Sequence, residues 1–205
     1  MPKDAIILTN EEIEALIVSI YLGQVTSTNL PLNLYSKTWD YFTEGLIAGY
    51  GEATTAQEIA LIESLFQNVQ LFSGAKTYQQ IADFESYLIT AEGTAVEFVE
   101  FRKLVLAKYK TYNSGWLKTE YNFIVESAKA AKRWTKIIEN KELFDLLEYV
   151  TVGDSLVRDN HKILDGIVEP VGSAFWNSYY PPWAWNCRCD TKSYSSEDID
   201  PTRWQ

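Results

Sequence analysis

The stretch WLKTEYNFIVESAKAAKRWTKIIEN, Trp116 to Asn140, constrains the fold more than any other part of the chain. Leu117, Tyr121, Ile124, Ala128, Ala131, Thr135 and Ile138 follow one another at alternating steps of four and three, which puts them on one stripe of an α-helix. Such a stripe has to be buried against other elements, and the small Ala128 and Ala131 let a second helix come close. Lys129, Lys132, Arg133 and Lys136 lie together on a different face. That face has two readings: a solvated flank of an amphipathic helix, or a surface for an acidic partner or nucleic acid.

Helical spacing also runs through the residues before this segment. Thr9 or Asn10 is a plausible N-cap for a helix carrying Ile13, Leu16, Ile17 and Ile20, with Glu11, Glu12 and Glu14 at the positive end of its dipole. Further helices are expected from about Tyr35 to Ala48, Thr55 to Gln70, Tyr78 to Ile89 and Thr94 to Tyr109, separated by TSTNLPLN, the glycines of AGYGE, and TAEG. TYNSG is expected to break the chain before the long helix.

Beyond Asn140 the character changes. A short β-branched piece, Tyr149 to Val152, is closed by a Gly-Asp turn, and LDGIVEPVGS reads as another short extended pair around Asp165-Gly166. The expected class is therefore α+β, mainly α: a helical body over 1–141, a compact module with short β-strands over 142–194, and a flexible polar tail over 195–205 or a lead into a further segment.

Charge narrows the function classes only in part. The net charge of -10 is uneven: residues 101–141 hold 10 basic and 3 acidic side chains between two acidic flanks. Such an island can face phosphate, an acidic partner, or the protein's own acidic segments. No window approaches the roughly 18 consecutive apolar residues of a membrane span. The N-terminus turns acidic where a signal peptide is basic, so the expected location is the cytoplasm of the cell that makes the protein.

The only two cysteines and two adjacent prolines fall within YYPPWAWNCRCD, Tyr179 to Asp190, and the single histidine is His161. Three readings stand. Imidazole and thiolate are zinc ligands, so His161, Cys187 and Cys189 can hold zinc with a fourth ligand from Asp154, Asp190 or water, although C-x-C is a less usual spacing than C-x(2 to 4)-C. Alternatively His161 acts as general acid or base beside Asp154, Arg158 and Asp165, or pairs with a cysteine nucleophile. In the third reading the segment is packing. Pro181-Pro182 stiffens it, Trp176, Trp183 and Trp185 bury ring area, the cysteines are reduced and buried, and Arg188 reaches Asp154 or Asp165 with its planar fork. On that reading no cofactor is expected, and Asp154, Arg158, His161 and Arg188 lock the module shut.

The order of these pieces, EYVTVGDSLVRDNHKILDGIVEPVGSAFWNSYYPPWAWNCRC, resembles the C-terminal signature of the phage Mu protein F-like family. Thr151, Asp154, Arg158, His161, Gly166, Phe175-Trp176, Pro181-Pro182 and Cys187-Arg188-Cys189 carry the resemblance. It implies a minor head or head morphogenesis protein with no established catalytic activity. The implied partners are the phage portal and/or major capsid protein, with packaged DNA as a further candidate, and no membrane. Several copies per virion are expected in the head interior or at the portal vertex, reached from the host cytoplasm during assembly. Where many members are expected to carry an upstream cysteine pair, this chain has Leu156, Arg158 and Asp159. The alternative is a virion-delivered enzyme or toxin-like effector using His161 and the Cys-Arg-Cys segment.

Overall fold

Two threonines set the starts of the first and third helices. Thr9 caps α1 (Asn10–Tyr21): its hydroxyl accepts from the Glu12 N–H at 3.2 Å while the Glu12 carboxylate accepts from the Thr9 N–H at 2.8 Å. Two otherwise unpaired backbone donors are thereby satisfied reciprocally. Thr55 and Glu58 repeat the arrangement at α3 (Ala56–Glu85). Between them α2 (Leu32–Tyr50) follows Pro31 with no side-chain cap, three residues ahead of the expected start. The computed structural model describes residues 7–200 and Thr202; residues 1–6, 201 and 203–205, the ends of the expected body and tail, lie outside the described residues.

α3 is one helix of 30 residues where two were expected. Gly74, within the expected gap between Gln70 and Tyr78, sits inside it, and a Cβ there would meet only the Tyr35 ring at 3.8 Å. The hydroxyls of Ser73 and Thr77 fold back onto the carbonyls of Val69 and Ser73, both at 2.8 Å, and so do not compete with the helix from outside. Burial of Val69, Ile81 and Phe84 outweighs the roughly 1 kcal/mol that glycine costs a helix.

TYNSG likewise does not end a helix. It forms a π-helical turn, Tyr112–Trp116, with non-helical dihedrals only at Asn113, and it joins α4 (Phe98–Thr111) to α5 (Leu117–Glu139). The Tyr112 carbonyl accepts from Lys76 Nζ at 3.1 Å, and the same ammonium lies 2.8 Å from the Glu120 carboxylate. Burial pulls the Lys76 ammonium below its ordinary pKa and pushes the Glu120 carboxyl above its own. This ion pair ties α3 to the kink.

α5 packs most extensively on α2, and glycines make the crossing close. A Cβ on Gly49 would stand 2.3 Å from the Val125 carbonyl oxygen and 2.9 Å from Ala128 Cβ; one on Gly45 would stand 3.0 Å from the Tyr121 ring. Around this crossing Ile17, Ile20, Phe42, Leu46, Phe84 and Phe101 are fully or almost fully buried and form the main core.

The C-terminal part is a three-stranded antiparallel sheet of order β2-β1-β3, made of β1 (Leu146–Val150), β2 (Val168–Pro170) and β3 (Asp190–Tyr194). β1 begins three residues before the expected Tyr149, because Leu146 and Leu147 are each buried on opposite faces of the sheet. Leu147 and Tyr149 pack with Leu164, Val171 and Trp176, and this second core takes Trp134, Ile137 and Ile138 from α5. Leu146 packs with Val168 and Ile199. Only residues 168–170 of LDGIVEPVGS form a strand. Part of the expected tail is thus held down, by buried Ile199 and by the Ser196 N–H donating to Asp145 at 2.8 Å.

Two stability predictions follow from these contacts. Gly49→Ala should cost about 1–3 kcal/mol through overpacking against backbone, whereas Gly74→Ala should add about 0.5–1 kcal/mol by helix propensity; urea unfolding that gives the two the same sign refutes the crossing. Lys76→Met should cost about 3–5 kcal/mol by stranding the Glu120 charge. A buried carboxyl with a raised folded pKa is penalised only as pH climbs above its unfolded value. The Lys76→Met deficit should therefore be larger near about pH 8 than near about pH 5, as read from unfolding curves at both.

Candidate functional site

Three segments converge beside β1. The strand presents Tyr149, the single turn α6 (Asp159–Lys162) presents His161, and the chain after α7 (Phe175–Tyr179) presents Trp183, Cys187 and Cys189. The Pro181-Pro182 bond is cis, and Asn186 occupies the left-handed region at φ 56°, which asparagine tolerates better than most residues. The Cys187 N–H returns to the Ala184 carbonyl at 3.1 Å, closing the turn that aims both cysteines inward.

His161 is the centre of this arrangement and is only 2% exposed. Its ring stacks on Trp183 with centroids 4.2 Å apart and planes 15° from parallel. Trp183 Nε1 donates to the Tyr149 hydroxyl at 2.9 Å, and that hydroxyl stands 3.3 Å from His161 Nδ1. Cys189 Sγ lies 3.5 Å and Cys187 Sγ 3.7 Å from the same nitrogen. Burial, aided by the Arg158 charge, holds His161 below its ordinary pKa, so the ring is neutral at pH 7. Burial also pushes the Cys189 thiol up to about 11, and the Tyr149 phenol upward as well. With hydroxyl and thiol donors facing Nδ1, the network assigns the ring proton to Nε2, which has no hydrogen-bond partner among the described residues.

The four residues expected to lock the module do not form one network. Arg188 grips Asp154 through two bonds of 2.7 and 2.8 Å and holds that carboxyl below its ordinary pKa. Both partners are nearly half exposed, so the pair is weakly stabilising. Arg158 donates instead to the Trp185 carbonyl. Asp165, weighed as a partner for Arg188 or for His161, accepts from the Thr151 N–H at 2.6 Å. The core of the site is the stack and the two cysteines, which are half-buried and unbridged. Tyr149 is the participant that sequence reasoning missed: alternation shows that it points inward, and no local signal shows toward what.

Of the three tryptophans expected to be buried, Trp176 is, and Trp183 is half-buried in the stack. Trp185 is 46% exposed and serves another purpose, lying against Phe123 of α5 at 4.6 Å and Phe72 of α3 at 6.2 Å between ring centroids. It fastens the module to the helical body. Tyr180 does the same on the other side, edge-on to Trp134 at 4.8 Å with its hydroxyl donating to the Ala130 carbonyl at 3.3 Å.

The basic face of α5 is largely committed inside the molecule. Lys132 pairs with Glu58 at 3.1 Å, donates to the Glu52 carbonyl and lies over the Tyr50 ring. Donors from Thr54, together with Lys132, hold the Glu58 carboxyl down to about 2. Arg133 pairs with Asp190 at 3.3 Å, and Lys129 with Glu126 at 2.7 Å on the same helix. Lys136 is exposed, with no ion pair among the described residues.

Comparison with known proteins places these features in a wider set. A family model described as Phage Mu protein F like protein matches residues 39–192. The putative capsid assembly protein F of Escherichia phage Mu is 34% identical over 80 residues, which is 39% of this chain and 18% of that protein. The Mu-like prophage FluMu F protein of Haemophilus influenzae is 33% identical over 69 residues, 34% of this chain and 17% of that protein. The chain thus spans under a fifth of the length of these relatives. No solved structure matches.

The Tyr149 hydroxyl gives the site a direct test. Tyr149→Phe should cost about 1–3 kcal/mol by leaving Trp183 Nε1 buried without an acceptor. The same change made in a Trp183→Phe background should cost markedly less, and equal costs in a double-mutant unfolding cycle would remove the bond from the account.

Proposed function

The chain belongs to the phage Mu protein F-like family, and from that premise we propose that it is a structural component of a phage head, docking to the portal or the major capsid protein during assembly. The observation that carries this reading is the family match over 39–192, which takes in the whole Tyr149, His161, Trp183 and Cys-Arg-Cys constellation. His161, on which an enzymatic reading depends, is 2% exposed and covered by Trp183.

Protein rather than DNA is the favoured partner. Lys132, Arg133 and Lys129 are already paired with Glu58, Asp190 and Glu126, so the face expected to meet phosphate offers chiefly Lys136. A track of many unpaired cations is what drives sequence-independent DNA affinity. The module instead presents large apolar side chains: Leu143 is 68% exposed, Leu156 77% and Ile163 75%. Burying such residues is what protein interfaces do at their centres. In this reading several copies reside in the head interior or at the portal vertex, and no membrane is involved. Among the described residues no helix is long and apolar enough to cross one.

Co-expression with the portal and major capsid proteins of the same phage tests the assignment. Co-elution with one of them on size exclusion, persisting when salt is raised to about 0.5 M, is the expected result. Failure to co-elute with either, or duplex-DNA binding whose logarithm falls linearly with log salt at a slope of several charges, refutes it.

A further inference from the structure

We infer that His161, Cys187 and Cys189 form a binding site for one zinc ion, which clips the Cys-Arg-Cys turn onto α6 and β1. This goes beyond the assembly role and does not depend on it. Their ligand atoms all lie within 4.8 Å of one another. A tetrahedral zinc, with Zn–S near 2.3 Å and Zn–N near 2.0–2.1 Å, has sulfur-to-nitrogen edges of about 3.6 Å. The observed edges are 3.5 Å from Cys189 and 3.7 Å from Cys187 to His161 Nδ1.

The polar groups around the ring suit a metal. A neutral imidazole nitrogen has one in-plane lone pair, and the Tyr149 hydroxyl and both thiols gather within 3.7 Å of the same Nδ1, while Cys189 is also hydrogen-bonded to Tyr149 and Cys187. A divalent cation would use all of these groups at once: it takes the lone pair and one sulfur from each cysteine, displaces the two thiol protons to solvent, and leaves the Tyr149 hydroxyl to donate to the Cys189 thiolate. Two thiolates and Zn²⁺ sum to zero charge, so the assembly buries no unpaired charge. A disulfide between the cysteines is the competing use, and closing one across a single intervening residue strains the ring.

The fourth position falls to water. Asp154 is held by Arg188 and Asp190 by Arg133, so neither carboxylate considered from the sequence is available. Beside the cysteines, between Leu156, Arg158 and Asn186, is a cavity of about 20 Å³, room for one water molecule.

The test uses the full chain with a tag that contains no histidine, purified under reducing conditions without chelator. Elemental analysis should find about one equivalent of zinc, and Co²⁺ substitution should give a sulfur-to-metal charge-transfer band. Cys187→Ser and Cys189→Ser should each weaken metal binding at least about tenfold. Less than about a tenth of an equivalent of zinc after loading and desalting overturns the site. So does a Co²⁺ spectrum without the charge-transfer band, or a serine variant that binds as the parent does. If the serine variants do not fold, the parent's metal content and Co²⁺ spectrum decide the matter alone.

Discussion

Everything in this molecule is hung on the near-contact between two backbones, Gly49 of α2 and Val125 of α5. A side chain on Gly49 would stand 2.3 Å from the Val125 carbonyl oxygen, so only glycine lets the helices meet at this depth. The depth in turn sets where the rest of α5 lies. Ala128 turns toward the helical body and is 1% exposed, while Trp134, Ile137 and Ile138 turn toward the C-terminal sheet. A single helix therefore serves two cores, with Trp134, Ile137 and Ile138 joining Leu164, Val171 and Trp176 around Leu147 and Tyr149. Burial of these side chains, at about 25 cal/mol for each Å² of apolar surface, holds the halves together.

The ion pairs along α5 and within the module orient more than they stabilise. Arg133 with Asp190 and Arg188 with Asp154 are partly exposed pairs of small net worth. Lys132 with Glu58 is more enclosed and also completes the cap of α3, so that one carboxylate fixes a helix start and a helix crossing together. The acidic flanks of the sequence thus answer its basic island from within the folded chain. The exposed apolar side chains Leu143, Leu156 and Ile163 lie on the module, among exposed charges such as Asp159 and Lys162.

The site and the fold were not equally legible. The stripe of α5, the Thr9 cap, the closeness allowed by Ala128 and the Arg188–Asp154 fork could each be read from spacing or residue chemistry, because each depends on neighbours a few residues away or on one well-matched pair of groups. The stretch between Gln70 and Tyr78, which contains Gly74, and the TYNSG turn were misread as breaks. In both places the local signal is worth about 1 kcal/mol, less than the burial of Ile81 and Phe84 on one side and Leu117 on the other. The position of Trp185 was also beyond reach, since its partners Phe72 and Phe123 are brought to it only by the helix crossing.

By itself the sequence determined that this chain is mainly helical, that a different and more compact piece follows Asn140, that Cys187, Cys189 and His161 belong to that piece, and that the piece resembles one phage family. Period and composition suffice for the structural statements, because they report which face of each segment must leave water, while the resemblance rests on the order of motif residues from Thr151 to Cys189. Only the tertiary structure decided that one histidine nitrogen faces two sulfurs and a phenol, and that the basic face of α5 is largely spent on the protein's own carboxylates. These are long-range coincidences of three or more segments. The free energy that selects them is the packing of all of them at once, which no local pattern encodes.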